Sequence, residues 1–262
     1  MADEQVFSGT ARYYSLYRPR YPEELLHDLV ALSVGDRGGS MVDWGCGTGE
    51  VALPLSSYFD DITAIDIDAG MVGLAREKAS QQDVSNIRWI VGPAEDLELT
   101  DASQDLIVAG SSFHWMDREL LSRRAFSALI DRGVIAIIGG GSDVWDIKCD
   151  WHEVAVRMMK RWLGDQRRAG SSTYTVTKKH GDFLEPAGFT LESRRYRVEQ
   201  NWNADAIVGY LYSTSFANPA LFGERLSDFE ADLRAELAKL STGDSFPELL
   251  DFYVMFGRKR SA

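Results

Sequence analysis

The chain is poor in cysteine: Cys46 and Cys149 are the only two among 262 residues. Two thiols so far apart give neither a disulfide framework nor the ligand spacing of a zinc site. No apolar run reaches the roughly 18 residues that a membrane span needs. Met1 to Phe7 lack the basic and apolar regions of a secretory signal, so the expected location is the cytoplasm. Positive charge is also scarce, with 28 Lys and Arg against 40 Asp and Glu and a net charge of −12. A surface of that sign repels phosphate backbones and argues against nucleic acid as a partner. Repeats and low-complexity segments are missing too. What remains is 45% apolar and 26% charged, the composition of a globular chain long enough for one sizeable core.

The first half alternates short apolar runs with amphipathic stretches. Pro22 suits a first helical position, and Leu25, Leu26, Leu29 and Val30 follow at helical spacing. Met41 and Val42 begin a strand that ends in Asp43, with Gly45, Gly47 and Gly49 directly after and a helix expected from about Glu50. Further strands are expected at Ile62–Ile65, Ile87–Val91, Leu106–Ala109 and Val134–Ile138, and helices at about Asp68–Ser80 and Leu120–Leu129. Asp68 suits the N-cap of the first of these helices. Such alternation predicts an α/β fold, a mostly parallel sheet with helices on both faces.

The second half differs. Trp151, Val154, Ala155, Met158, Met159 and Trp162 fall on one helical face, and periodicity breaks over Ala169–Thr175. Leu191–Trp202 is extended, Leu226, Phe229, Leu233 and Leu237 form a helical stripe, and Phe252–Phe256 reads as a last strand. A single domain over residues 1–262 is expected, with residues 142–188 inserted as a cap after the fifth strand and expected to be mobile. Arg157, Lys160, Arg161, Arg167, Arg168, Lys178 and Lys179 make a basic island in this insertion. The island is either a solvated helix face or an attraction for an acidic ligand.

The informative segment is Asp43-Trp44-Gly45-Cys46-Gly47-Thr48-Gly49. Between a strand and a helix, glycines admit positive φ and let a ligand approach the backbone closely. A dinucleotide loop would need another glycine three residues after Gly47, where Glu50 stands, and a carboxylate there repels a pyrophosphate. A phosphate-binding loop with Gly-Lys-Ser/Thr is absent. A nucleoside joined to an amino acid fits better. Asp66 ends the second strand on the same sheet edge, where a carboxylate can accept both hydroxyls of a ribose. Ile67 and Met71 are placed to hold an adenine face.

With these residues the sequence resembles the class I S-adenosylmethionine-dependent methyltransferases, in the small-molecule branch that includes trans-aconitate-type enzymes. Val42 to Gly49 matches that family's first motif, Asp66 its ribose carboxylate, and Gly92-Pro93-Ala94-Glu95-Asp96-Leu97 its adenine-side motif. Ser111-Ser112-Phe113-His114-Trp115-Met116-Asp117 matches the motif after the fourth strand. Tyr14-x-x-Tyr17-Arg18-Pro19-x-Tyr21-Pro22 matches the N-terminal lead-in. The likeness covers about residues 7–141 well and the rest by general layout. It implies a seven-stranded, mostly parallel Rossmann-like sheet with an N-terminal lid. S-adenosylmethionine is the implied cofactor, held by Tyr14, Arg18, Asp43, Gly45, Cys46, Gly47, Gly49, Asp66, Ile67, Met71, Ala94, Glu95 and Ser111. Many relatives place an aspartate where this chain has Pro93, so the adenine amino group falls to Glu95 or a backbone carbonyl. Cys46 reads as a small packed residue in this loop.

Methyl transfer from a sulfonium is an in-line displacement that needs alignment and no metal. A base is required only for an acceptor that keeps its proton at neutral pH. His114, after the fourth strand, is the leading base, with His152 and His180 as alternatives; a hydrogen-bonded structural role for His114 stays open. His27, beside Glu23 and Glu24, is expected on the surface. The implied partner is a small-molecule acceptor, with no nucleic acid and no membrane.

Overall fold

The computed structural model describes residues 9–35, 38–169, 172–173 and 178–259. Phe7, where the family likeness begins, and residues 170–171 and 174–175 of the break in periodicity lie outside the described residues. Seven strands form the main sheet: β1 (Ser40–Trp44), β2 (Asp61–Asp66), β3 (Ile87–Val91), β4 (Gln104–Gly110), β5 (Leu129–Gly141), β6 (Phe189–Trp202) and β7 (Phe246–Lys259). Their order is β3-β2-β1-β4-β5-β7-β6. The first five run parallel, while β7 is antiparallel to both β5 and β6. The strand order reverses between β1 and β4, the place where open α/β sheets form a ligand crevice.

Among the described residues nine helices flank the sheet: α1 (Ala11–Tyr17), α2 (Glu23–Ser33), α3 (Ala52–Leu55), α4 (Ala69–Gln81), α5 (Arg118–Ala128), α6 (Asp150–Leu163), α7 (Gly181–Leu184), α8 (Ala204–Tyr212) and α9 (Leu226–Leu240). The central strands bury both faces. In β1 Met41 packs on one side and Val42 and Trp44 on the other; in β4 Leu106 and Val108 oppose Ile107 and Ala109. A fully buried leucine such as Leu25 or Leu29 in α2 contributes about 1.5–3 kcal/mol, so this two-sided core dominates folding. Asp68 caps α4 through its side chain on the Met71 N–H at 2.9 Å, as its position predicts.

Three expected boundaries change. The helix after the glycine loop is one turn, Ala52–Leu55, because Ser56 Oγ donates to the Leu53 carbonyl at 2.8 Å and competes with helical bonding. Strand β5 extends through its glycines instead of stopping at Ile138. A Cβ at Gly139 would come within 2.4 Å of the Tyr253 ring, and one at Gly140 within 2.2 Å of the Asp251 carbonyl. The glycines therefore admit β7 at close range. Strand β7 itself runs from Phe246, paired with β6 as a ribbon that continues past the end of β5.

The layer above the strand ends is broader than the 142–188 insertion. In α6 the expected stripe is buried at Trp151, Val154, Ala155, Met158 and Met159 and half-buried at Trp162, and α6 packs against α9 from the β6–β7 connection. Helix α8 from the same connection packs against α1. The cap thus joins three stretches of chain: the N-terminal segment, the insertion after β5, and residues between β6 and β7.

Candidate functional site

Strand β1 delivers Asp43 and Trp44, and the chain then turns through Gly45, Gly47 and Gly49, whose φ values are +69°, +54° and +86°. The Gly45 and Cys46 N–H groups donate to the Ile65 carbonyl at 2.8 and 3.0 Å. Asp66 Oδ2 accepts the Gly47 N–H at 2.8 Å, and its Oδ1 accepts the Asp68 N–H at 2.9 Å. This carboxylate therefore ties the loop after β1 to the loop after β2. Each oxygen keeps a further lone pair, enough for two ligand hydroxyls. Burial raises the Asp66 pKa, and the Asp68 and Gly47 donors oppose the rise.

The three glycines serve different ends. A Cβ on Gly45 would sit 2.5 Å from Ser112 Cβ, and one on Gly49 would sit 2.8 Å from Leu53 Cδ1. Gly47 meets nothing nearer than the Tyr14 ring at 3.6 Å. The space over Gly47, roofed by Tyr14, is where a ligand can lie against the backbone. Cys46 is buried, and burial pushes its thiol pKa well up, so it packs and does not attack.

Neighbouring this loop is a cavity over the ends of β4 and β5. Ser111, Gly140, Gly141 and Ser142 come from the sheet; Tyr14, Arg18, Pro19 and Tyr21 from the N-terminal segment; Glu50, Tyr210 and Phe252 complete it. Arg18 lies 5.0 Å from the Tyr14 ring centroid and 5.3 Å from that of Tyr210. Its Nη2 donates to the Ser213 carbonyl at 3.2 Å, and its buried Nε has no hydrogen-bond partner. A guanidinium so held has donors left for a carboxylate. The segment is clasped onto α8: Tyr13 stands edge-on to Tyr212 at 5.3 Å, and Tyr17 lies where a Cβ on Gly209 would approach within 2.2 Å.

On the expected adenine side, Met71 and Ala94 are buried and Ile67 is half-buried. Glu95 is otherwise engaged: its Oε1 accepts the Asp117 N–H at 2.7 Å and its carbonyl accepts from Arg124. Asp43 is buried, and no side chain hydrogen-bonds to its oxygens. Burial raises its pKa to about 7; the Ala52 N–H opposes this, and Asp66 and Glu50 add to it.

His114 does not line the cavity. It stands in the turn Phe113–Trp115 with its ring 4.8 Å from that of Trp115 and one edge open to solvent. Desolvation by its packed side, with His180, Arg118 and Arg167 nearby, lowers its pKa to about 4. His180 packs at 5.5 Å from Phe113, and burial followed by Arg118 lowers its pKa. His27 is exposed. His152 is fully buried behind Ser142, with Nε2 3.2 Å from both Ser142 Oγ and Glu248 Oε1. Cys149, His152 and Glu248 bring ligand atoms within 4.8 Å of one another. However, His152 Nδ1 accepts the Lys148 N–H at 3.2 Å, which assigns the ring proton to Nε2 and leaves no lone pair for a metal. The cluster is a hydrogen-bonded core histidine.

The basic island divides. Arg157 and Arg161 pair with Glu236 and Asp232 of α9 at 2.8 and 3.4 Å, and Lys160 is exposed. These form the solvated face of α6. Arg167 pairs with Asp143 at 3.5 Å, and Lys178 and Lys179 are exposed; the Arg168 side chain lies outside the described residues.

A methyltransferase-domain family model matches residues 41–133, which hold the glycine loop, Asp66 and the turn after β4. Over that stretch the chain is similar to S-adenosylmethionine-dependent methyltransferases. A Saccharomyces cerevisiae protein named a probable S-adenosylmethionine-dependent methyltransferase is 31% identical over 47% of this chain and 43% of its own length. Trans-aconitate 2-methyltransferase of Deinococcus radiodurans is 32% identical over 42% of this chain and 41% of its own. The matched part spans less than half of each of these relatives. Among solved structures, a Bacillus subtilis protein shares the fold with a TM-score of 0.59 at 17% identity, over 92% of this chain and 100% of that one.

The family's cofactor, S-adenosylmethionine, suits the chemistry of the loop. An amino acid's ammonium would satisfy the buried Asp43, a carboxylate would satisfy Arg18, and ribose hydroxyls would meet Asp66. Sequence reasoning missed Glu50, Ser142, Tyr210 and Phe252. Glu50 directly follows the glycine loop and was read only as a residue that excludes a pyrophosphate; no local spacing marks the other three, because they converge only through the β5–β7 pairing and the cap.

Proposed function

We propose that this methyltransferase moves the methyl group of S-adenosylmethionine to a small-molecule acceptor bound in the cavity under Tyr14 and Tyr210. The carrying observation is the joint between the two spaces: Tyr14 roofs Gly47 and also lines the cavity. A ligand on the glycine loop would therefore present its reactive end to the cavity. The cofactor supplies an activated methyl on a sulfonium. The protein's part is alignment and exclusion of water, which can account for a large share of the barrier. Tyr14, Tyr21, Tyr210 and Phe252 provide a mostly aromatic wall, and Arg18 orients a carboxylate. Burial raises the pKa of Tyr14, Tyr21 and Tyr210, so these phenols stay protonated at neutral pH and serve as hydrogen-bond donors. No metal is assigned to the step.

For a hydroxyl acceptor, His114 remains the proposed base, reached by movement of the turn after β4. It is neutral at working pH, with a pKa of about 4. The cap formed by α1, α6 and α8, together with residues 142–188, is proposed to move as the ligands bind. Incubation with methyl-labelled S-adenosylmethionine and a small-molecule cell extract, after exhaustive chelation, tests the reading. Label in a low-mass product supports it; label only in protein or RNA, or tight cofactor binding with no transfer to any fraction, contradicts it.

A further inference from the structure

Positive charge is scarce in this chain, with 28 Lys and Arg against 40 Asp and Glu. Yet one corner, where the turn after β4 meets α5 and α7, gathers Arg118, Lys178, His114 and His180. Arg118 Cζ lies 4.3 Å from the Phe183 ring centroid, and Lys178 Nζ lies 5.6 Å from the same centroid. Arg118 Nη1 also donates to the Lys178 carbonyl at 2.9 Å. His180 packs on Phe113 at 5.5 Å, next to His114 in the turn. Lys179 is exposed beside them.

The acids around this corner serve other groups. Asp117 caps α5 on the Leu120 N–H at 2.9 Å, Glu119 pairs with Arg123 at 2.6 Å, and Asp182 accepts the Lys179 N–H at 3.0 Å. Asp143 pairs with Arg167 at 3.5 Å. Among the described residues no carboxylate pairs with Arg118, Lys178 or Lys179. No hydrogen bond holds His180 Nδ1, so this imidazole can take either tautomer or a second proton. Burial lowers the pKa of both histidines, and the nearby charge of Arg118 adds to the fall in each. Cations gathered without a counter-ion repel one another, and a bound oxyanion relieves that repulsion.

The corner adjoins the cavity. His114 follows Ser111 closely in the chain, and Asp143, which holds Arg167, comes directly after Ser142; both serines line the cavity. We propose that this corner is an oxyanion subsite, in which Arg118, Lys178 and His180 hold a phosphate or carboxylate group at the far end of the methyl acceptor. Beyond its bond to the Lys178 carbonyl, the guanidinium of Arg118 keeps donors for two oxygens of one group, and stacking on Phe183 fixes its plane. Lys178 adds a point charge, and His180 adds a donor. The assignment to the acceptor rests on the cavity proposed above; oxyanion binding itself does not.

Imidazole NMR signals of the full chain, with S-adenosylhomocysteine present, follow titrations with inorganic phosphate and with malonate, each against sodium chloride at matched ionic strength. Saturable shifts at His114 and His180 that chloride does not reproduce are expected, and the tighter of the two anions identifies the group as phosphate or carboxylate. Arg118→Gln should weaken the tighter anion about ten-fold or more. Lys178→Gln, at an exposed position, should weaken it about three-fold and keeps the test decisive if the first variant does not fold. Shifts no larger than those in chloride overturn the proposal. Saturable shifts undiminished in the folded variants also overturn it, by moving the anion elsewhere. The acceptor is read separately: the tighter anion should inhibit label transfer into the low-mass fraction of the extract, competitively with the extract. Binding without inhibition marks an adventitious ion only and overturns the assignment. Absence of any transfer by the unmodified protein contradicts the proposed function, while the titrations still decide the subsite.

Discussion

The two halves of this site are built on different principles. On the β1–β2 side, backbone and one carboxylate define the site: three glycines with positive φ and Asp66 bridging two loops. Nearly every group comes from one continuous stretch, residues 43–71. On the β5–β7 side the cavity is made of side chains from residue 14 to residue 252, brought together by long-range strand pairing and by helix α8. A site read by backbone amides tolerates few sequences and so leaves a motif. A cavity lined by side chains can be rebuilt at each position separately and leaves none.

Breaking the backbone half should have the largest effect. Gly47→Val puts a β-branched residue at φ +54° and fills the only open space of the loop. Affinity for S-adenosylhomocysteine should fall by roughly 100-fold or more, with a stability loss of about 1–2 kcal/mol. Calorimetry and thermal melts read both. Breaking the assembled half at a distance should do less. Gly209→Val drives a side chain into Tyr17 and should undock α1 from α8. The expected signature is S-adenosylhomocysteine release about ten-fold faster in stopped flow, with hydrogen exchange rising in Ala11–Tyr17. Unchanged release would mean that the clasp does not control the cofactor.

A third effect follows from the burial of Asp43 and appears with pH. The folded pKa of Asp43, about 7, lies above its unfolded value, so the empty protein holds this proton more tightly than the unfolded chain does. Its stability should therefore decline as pH rises from about 4 to 7, by up to about 1.4 kcal/mol per unit from this group. Melting temperature followed from pH 5 to 7.5 should show the decline in the unmodified protein and less of it in Asp43→Asn. A parallel decline in both would place the dependence on other groups. The smallest effect is expected at the solvated face of α6. Arg157→Ala removes an exposed pair with Glu236 and should cost within about 0.5 kcal/mol in a denaturant melt, with cofactor affinity unaltered.

The sheet and the turn geometry of the glycine loop were legible in the sequence because their determinants are local. The strand end at Asp66, the capping Asp68 and the glycine spacing each follow from neighbours a few residues apart, while β1 runs one residue past Asp43 to Trp44. The true length of β5 was hidden, since Gly139 to Gly141 look like a terminator until Tyr253 and Asp251 are seen to need the space. Tyr210 and Phe252 were hidden for the same reason. Their partners lie in β5 and in the N-terminal segment, far away in sequence. Glu95 illustrates a third limit: its carboxylate also bonds the Asp117 N–H, a contact between two motifs that no local spacing marks. His114 follows β4 in an exposed turn beside Trp115, a placement that its sequence position alone does not give.

The central claim is that the cofactor is held from the backbone side through Asp66. Titration of S-adenosylhomocysteine into the unmodified protein and into Asp66→Ala tests it most directly. Loss of the carboxylate removes charge-assisted hydrogen bonds worth roughly 1.5–3 kcal/mol each, so affinity should fall by at least about 100-fold. A circular-dichroism spectrum and a cooperative melt establish that the variant remains folded. Affinity within a few-fold of the unmodified protein, in a folded Asp66→Ala variant, would contradict the account.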